Sequence, residues 1–298
     1  MRKLIIIFSL VVIFNPTLCQ NRDSIASDGV NKKRLHTFIL VGSSAYAISL
    51  IALNQLWYND FPREGFHFFD DSEEWKQMDK LGHFYSSYHI GLATTKALQW
   101  SGLPENKSYL WGAVSGFLIL LPIEVFDGFS SQYGASAGDI VANALGPALL
   151  LGQYAAWREI RIHPKFSFSR SSYAELRPEV LGEGFQEEFI KDYNGQTYWL
   201  SFDIYKFLNS NTNFPKWLNI SVGYGAENLL SARDSNNISM GFDPYRQYFL
   251  ALDFDFTHFS QRRNFTKVLF HLLNMIHIPA PTLEYNRQNG FVFHFLYF

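Results

Sequence analysis

Three clusters of polar side chains interrupt otherwise apolar helical stretches of this chain: Asp79-Lys80-Leu81-Gly82-His83, Glu124-Val125-Phe126-Asp127-Gly128, and Ser136-Ala137-Gly138-Asp139-Ile140-Val141-Ala142-Asn143. Charged groups carried into an apolar interior are costly unless they meet partners there. Three helices that each carry such a cluster are therefore expected to bring them into one buried polar centre. That centre is either a functional site or the clasp of a helical bundle, and the residues alone leave both readings open.

The spacing sets what chemistry the centre could do. Asp79 and His83 are four residues apart and share a helix face. A carboxylate beside an imidazole can orient a general base or supply two metal ligands; the plainer reading is a helix cap and a core histidine. Glu124 and Asp127, three apart, follow Pro122, and Gly128 ends the stretch. Two such close carboxylates repel unless a cation or a proton intervenes, and Lys80 is the internal candidate. Asp139 and Asn143 share the first turns of the last helix, with Ser136 as its cap. Pro147 leaves the Asn143 carbonyl without its usual donor. As a catalytic or metal set, the candidates are His83, Asp79, Glu124, Asp127 and Asp139; as a structural set, Lys80, Ser136, Asn143 and Pro147 join them. No cofactor is expected, with a divalent metal as the alternative.

The chain changes period partway along. Residues 33–161 read as four helices: His36 to Tyr58, Leu81 to Trp100, Ser108 to Phe126, and Ala137 to Trp157. The first is uncharged between Arg34 and Asp60 and long enough to span a bilayer, while the third and fourth are marginal. Lys32, Lys33 and Arg34 would stand outside an inner-membrane span, against the usual charge bias. Helices buried in protein or lying against an outer membrane are the expectation. From residue 165 to 298 the period is two, with strands expected at Thr197 to Phe207, Trp217 to Glu227 and Gln247 to Thr257. A helix from Phe265 to His277 and a final strand from Gly290 to Phe298 complete the reading. Apolar side chains on one face and small or acidic ones on the other also match a membrane barrel wall, but five or six strands fall short of the roughly eight a barrel needs. The predicted fold is α+β: an N-terminal four-helix bundle followed by a small antiparallel sheet or partial barrel.

The ends speak to compartment. Residues 1–19 have a basic start, an apolar run from Leu4 to Phe14 and a break at Asn15-Pro16-Thr17, as an export signal does. Cleavage after Cys19 would leave Gln20 first; the alternative is a lipid on Cys19, the single cysteine of the chain. Cleavage after Cys19 would exclude disulfides and thiolate metal sites. A formal net charge of -2 gives no basic stripe for nucleic acid. The abundant aromatic residues suit a membrane interface, and the aromatic C-terminal strand resembles that of bacterial outer-membrane proteins. An outer-membrane surface is the expected partner, in the cell envelope.

In order and character the three clusters resemble the VanZ-like superfamily, and more closely its YfiM-like branch. The matching residues are Asp79, Lys80, His83, Phe84, Glu124, Asp127, Gly128, Ser136, Asp139, Ala142, Asn143 and Gly146, within Asn54 to Gln153. Extensions such as Arg177 to Gly182 and Lys191 to Trp199 are associated with Bacteroidetes-type members. The resemblance implies an envelope protein of unassigned activity, often described as a lipoprotein. VanZ-like proteins are linked to low-level glycopeptide resistance without an agreed reaction. Two functions follow: a non-enzymatic envelope protein, or a protein acting on an anionic envelope lipid or glycan precursor through the His/carboxylate centre.

Overall fold

The computed structural model describes residues 29–58, 62–208, 212–259 and 264–298; the export signal and its cleavage position at Cys19 lie outside these. The chain is α+β and divides into two compact units. One comprises Met1–Asp71 with Ser86–Arg158, the other Ser72–Tyr85 with Glu159–Phe298.

The helical unit is built on α1 (Lys32–Leu53), most of α2 (Met78–Trp100), α3 (Glu105–Gly128) and α4 (Ala137–Trp157). Asn31 starts α1 by accepting the Arg34 amide at 3.0 Å, and the helix gives way at Leu53 to a π-helical turn, Asn54–Tyr58. The apolar run alone predicts one helix through to Tyr58. The α1 apolar residues Ile39, Leu40, Val41, Ile48 and Ile51 are exposed, and its tethers are polar. Tyr46 donates to the Ile119 carbonyl at 2.7 Å, and Arg34 lies over Trp100 while donating to its carbonyl at 3.2 Å. Both α1 and α3 are long and apolar enough to cross a membrane, by length and composition.

Glycines let α2 and α3 approach backbone to backbone. The Gly91 carbonyl lies 2.6 Å from where a Cβ on Gly112 would stand, and the Ser87 carbonyl 2.5 Å from one on Gly116. The pairings Gly91–Gly112 and Ser87–Gly116 show the helices running antiparallel. Pro147 of α4 closes on the same Gly116, 3.0 Å from that Cβ position, and Tyr109 stacks on Tyr154 at 4.0 Å.

The second unit is one antiparallel meander of six strands in sequence order: β1 (Ile162–Phe168), β2 (Gln196–Phe202), β3 (Leu218–Glu227), β4 (Tyr245–Phe254), β5 (Ala280–Asn286) and β6 (Gly290–Tyr297). It is not closed into a barrel. Pro164 fits β1 because that strand is an edge. On its free side β1 meets the segment after the Asn264–Leu273 helix: Phe166 donates to the Met275 carbonyl and His277 to the Phe166 carbonyl, each at 3.0 Å. The strand expected to reach Phe207 stops at Phe202. Asp203 accepts the Lys206 amide at 3.2 Å and turns Ile204–Phe207 into a short helix, although the residue alternation continues past that point.

The sheet's two faces are inverted relative to a soluble sheet. Positions pointing inward are polar and buried, including Lys165, Ser201, Asn219, Ser221, Gln247, Asp253, Thr282 and Glu284. Positions pointing outward are apolar and exposed: Ile220 and Val222 on β3, Leu250 and Leu252 on β4, Leu283 and Tyr285 on β5. On β6, Phe291, Phe293 and Phe295 are 74%, 67% and 78% exposed. The inner side is filled by a fully buried ion pair, Lys165–Asp253 at 2.8 Å. Asp253 also takes the Ser221 hydroxyl at 3.0 Å and lies 3.3 Å from His277, whose ring stacks on Trp199 at 3.9 Å. Phe249 and Tyr297 pack around that tryptophan.

Candidate functional site

In the helical unit, Ser136 gathers the acids. It is the N-cap of α4, where exposed backbone N–H groups and the helix dipole favour negative charge. Its hydroxyl accepts the Asp139 amide at 3.0 Å and donates to Asp71 Oδ1 at 2.8 Å, while its own amide donates to Glu124 Oε2 at 3.2 Å. Glu124 and Asp139 are 2% and 7% exposed. Two carboxylates thus bond to one serine, each offers an oxygen within 4.8 Å of one on Asp139, and like charges held so close favour a cation or a shared proton among them.

Asp127, one turn beyond Glu124, accepts the Tyr58 hydroxyl at 2.7 Å. Burial, reinforced by the Asp127 carboxylate, pushes the Tyr58 hydroxyl well above its ordinary range, so it remains a donor. Asn143 is fully buried two turns into α4, and Pro147 occupies the close crossing described above. Within this unit the structure brings Glu124, Ser136 and Asp139 together and gives Asp127 a separate partner.

Asp79, Lys80 and His83 lie on the first turns of α2, which group with the sheet unit. Lys80 Nζ is 3.2 Å from Asp79 Oδ2, both side chains being mostly buried. The approach to α2 is unusual: Trp75, Lys76 and Gln77 have φ of 47°, 52° and 65°. Left-handed backbone costs an ordinary residue about 1–2 kcal/mol, and it persists only where surroundings over-determine it. Here they do. Trp75 donates to the Ala232 carbonyl at 2.7 Å, Tyr224 donates to the Lys76 carbonyl at 2.6 Å, and the Lys76 ammonium pairs with Asp234. Met78 then packs with Ala226 and Leu229, and Tyr85 donates to the Met275 carbonyl at 3.0 Å. The first turns of α2 are held firmly against β3 and its following loop, so the orientation of the helix face shared by Asp79 and His83 is set within this unit.

Two features escaped the sequence reading. Asp71 belongs to the acidic connection between α1 and α2, which carries no periodicity to flag it. The Lys165–Asp253–His277 group was hidden because its members lie on β1, on β4 and after the Asn264–Leu273 helix. The sole hint was that Asp253 and Asp255 recur at strand spacing.

Residues 64–154 match the profile of DUF2279, a family described as predicted periplasmic lipoprotein. The match covers α2, α3 and α4 as far as Tyr154 and leaves the sheet outside it. No curated protein matches the chain, and no solved structure does. The family description supports an exported envelope protein of uncharacterised activity.

Proposed function

We propose that this chain is a non-enzymatic envelope protein that docks on the outer membrane through its sheet and is braced by a polar clasp in its helical half. The observation that carries the docking is the inverted sheet: apolar side chains on the outer face of β3 to β6, polar ones within. Contiguous exposed apolar surface of that kind marks a site of contact with membrane or protein. The open edge at β6 argues for a face resting at the lipid interface, because unpaired edges are not tolerated within hydrocarbon. The exposed phenylalanines of β6 favour a lipid interface. A lipid on Cys19, as the family description suggests, would act as a second anchor.

The clasp is proposed to include Asp79, Lys80 and His83 with Glu124, Asp127 and Asp139, with Asn143 and Pro147 as structural members. Support comes from each unit by itself: Ser136 gathers Asp71 and Glu124 in the one, and Asp79 pairs with Lys80, both mostly buried, in the other. Buried charge of this kind is retained where it meets partners. Membership of the VanZ-like superfamily, its YfiM-like branch and a Bacteroidetes-type subset is part of the same proposal; the family match over residues 64–154 spans all twelve motif residues.

Membrane fractionation of cells expressing the full chain tests the docking. Recovery with outer membranes is expected, and Val222→Lys combined with Leu250→Lys should shift the protein toward the soluble fraction. Recovery of the unaltered chain as soluble periplasmic protein would overturn the reading.

The three carboxylates around Ser136 favour a second reading, in which the centre holds a divalent metal and acts on an anionic lipid or glycan precursor. Metal analysis of protein purified without added metal separates the two. Metal present at one equivalent and lost in Glu124→Gln would establish the second reading, whereas a metal-free, folded protein supports the clasp.

A further inference from the structure

A separate group of ligand-type side chains sits at one end of the sheet. His163 lies near the start of β1, Asp203 directly follows β2, Asp255 directly follows β4, and His258 lies in the helical turn Phe256–Phe259. The antiparallel registers Ile162–Phe202 and Leu218–Phe254 bring these strand ends to the same rim. The side chains of Asp203 and Asp255 have no exposed surface, while His163 and His258 are 12% and 26% exposed. His258 Nε2 is 3.7 Å from Asp203 Oδ2 and 3.6 Å from Asp255 Oδ2, and His163 Nε2 is 4.0 Å from Asp255 Oδ2.

His163 Nε2, His258 Nε2 and Asp255 Oδ2 have no hydrogen-bond partner among the described residues, and Asp203 Oδ2 has the Lys206 ammonium at 2.9 Å. Buried polar atoms are nearly always paired, so three orphans beside one carboxylate need an explanation. The other carboxylate oxygens are engaged: Asp203 Oδ1 accepts the Lys206 amide, and Asp255 Oδ1 accepts the Thr257 amide and hydroxyl at 2.8 and 2.6 Å. Each carboxylate is thereby fixed with its second oxygen aimed inward. Burial pulls the His163 imidazole below its ordinary range, which keeps it neutral with a lone pair to offer.

We propose that His163, Asp203, Asp255 and His258 form a four-coordinate site for a divalent transition metal, with zinc the best fit. Bonds of about 2.0–2.2 Å in a tetrahedron put neighbouring ligand atoms roughly 3.3–3.5 Å apart; the His258 separations of 3.7 and 3.6 Å are close to that, and His163, 4.0 Å from Asp255, moves in on binding. Two carboxylates balance the charge of the dication, and two imidazoles suit zinc better than calcium or magnesium. The partly exposed His258 gives the ion a way in.

Two neighbours bear on occupancy. The Lys206 ammonium stands 2.9 Å from Asp203 Oδ2 and also donates to the Ile160 carbonyl at 2.8 Å. It competes with the metal for that oxygen, and at 22% exposure it can turn toward water. Asn274 accepts the Phe256 amide at 3.2 Å and sets its amide nitrogen 3.3 Å from His163 Nδ1. Metal at Nε2 requires the ring proton at Nδ1, so the Asn274 amide turns over to accept it on loading.

Titration of the full-length, detergent-extracted, chelator-stripped protein with cobalt(II) and then zinc tests the site. One equivalent of cobalt is expected to give the visible absorption of four-coordinate geometry, bleached by zinc. His258→Ala, on the rim, should abolish it with the circular dichroism unchanged, and Asp255→Asn should do the same. Asn274→Asp, which can accept from both Phe256 and His163, should tighten binding about tenfold or more, and Lys206→Met should also tighten it. Glu124→Gln should leave this binding intact, which separates it from any metal in the helical unit. A folded chain that gives no such absorption, or that binds equally after His258→Ala, overturns the proposal. An Asn274→Asp variant with unchanged affinity removes His163 from the ligand set and overturns it as stated.

Discussion

At the scale of single residues, the inner side of the sheet sets a buried ion pair beside a small aromatic cluster. Lys165 and Asp253 have no exposed surface, and Lys165 also donates to the Phe254 carbonyl at 2.7 Å. Removing one partner strands the other in a dry site, which typically costs about 3–5 kcal/mol. Lys165→Met is expected to lose stability on that scale in chemical unfolding of the detergent-solubilised protein. The double variant Lys165→Met with Asp253→Leu should recover most of the loss, since an apolar pair of similar volume is often neutral. In the helical unit, Glu124→Gln with Asp139→Asn relieves repulsion around Ser136 but removes partners of any cation there. For a clasp the expected outcome is a folded and less stable chain. A gain in stability, accompanied by lost metal, would instead identify the cluster as a metal centre.

At the scale of elements, the helices are legible where their ends are written in residue chemistry: Ser136 caps α4 and Gly128 ends α3. The start of α3 is not, since the helix begins at Glu105, directly after Pro104, rather than at the expected Ser108. The strands were legible from alternation, but their ends were not. Ile204 keeps the alternation going where the Asp203 side chain has already turned the backbone into a helix. The π-helical turn at Asn54–Tyr58 likewise has no signature distinct from a continuing α-helix. Of the candidate site, the sequence marked Glu124, Ser136 and Asp139, since motif and cap coincide there. It did not mark Asp71, which is recruited from an irregular connection. Close helix crossings are similarly testable. Gly116→Ala would set a methyl against the Ser87 carbonyl and Pro147, and should destabilise by about 1–3 kcal/mol. Gly152→Ala, in open space on α4, should stabilise by about 0.5–1 kcal/mol, measured in the same unfolding experiment.

At the scale of the whole molecule, helices lead, a sheet follows, and the family match covers only the helical part. The proposed membrane-facing role therefore rests on the sheet itself, and the prediction at this scale is independent of the polar centre. Replacing Phe291, Phe293 and Phe295 together by Ser should release the chain from liposomes of outer-membrane lipid composition in a flotation assay. Ile220→Leu, which keeps the face apolar, should leave flotation unchanged. Loss of binding in both variants would indicate damage to the fold rather than to the face.

The inverted sheet also sets terms for how the chain reaches its destination. On the proposed docking, an outer face of bare phenylalanine and leucine would have to cross a water-filled compartment before it met lipid. During that passage the same face would invite self-association, so delivery and folding would have to be coupled.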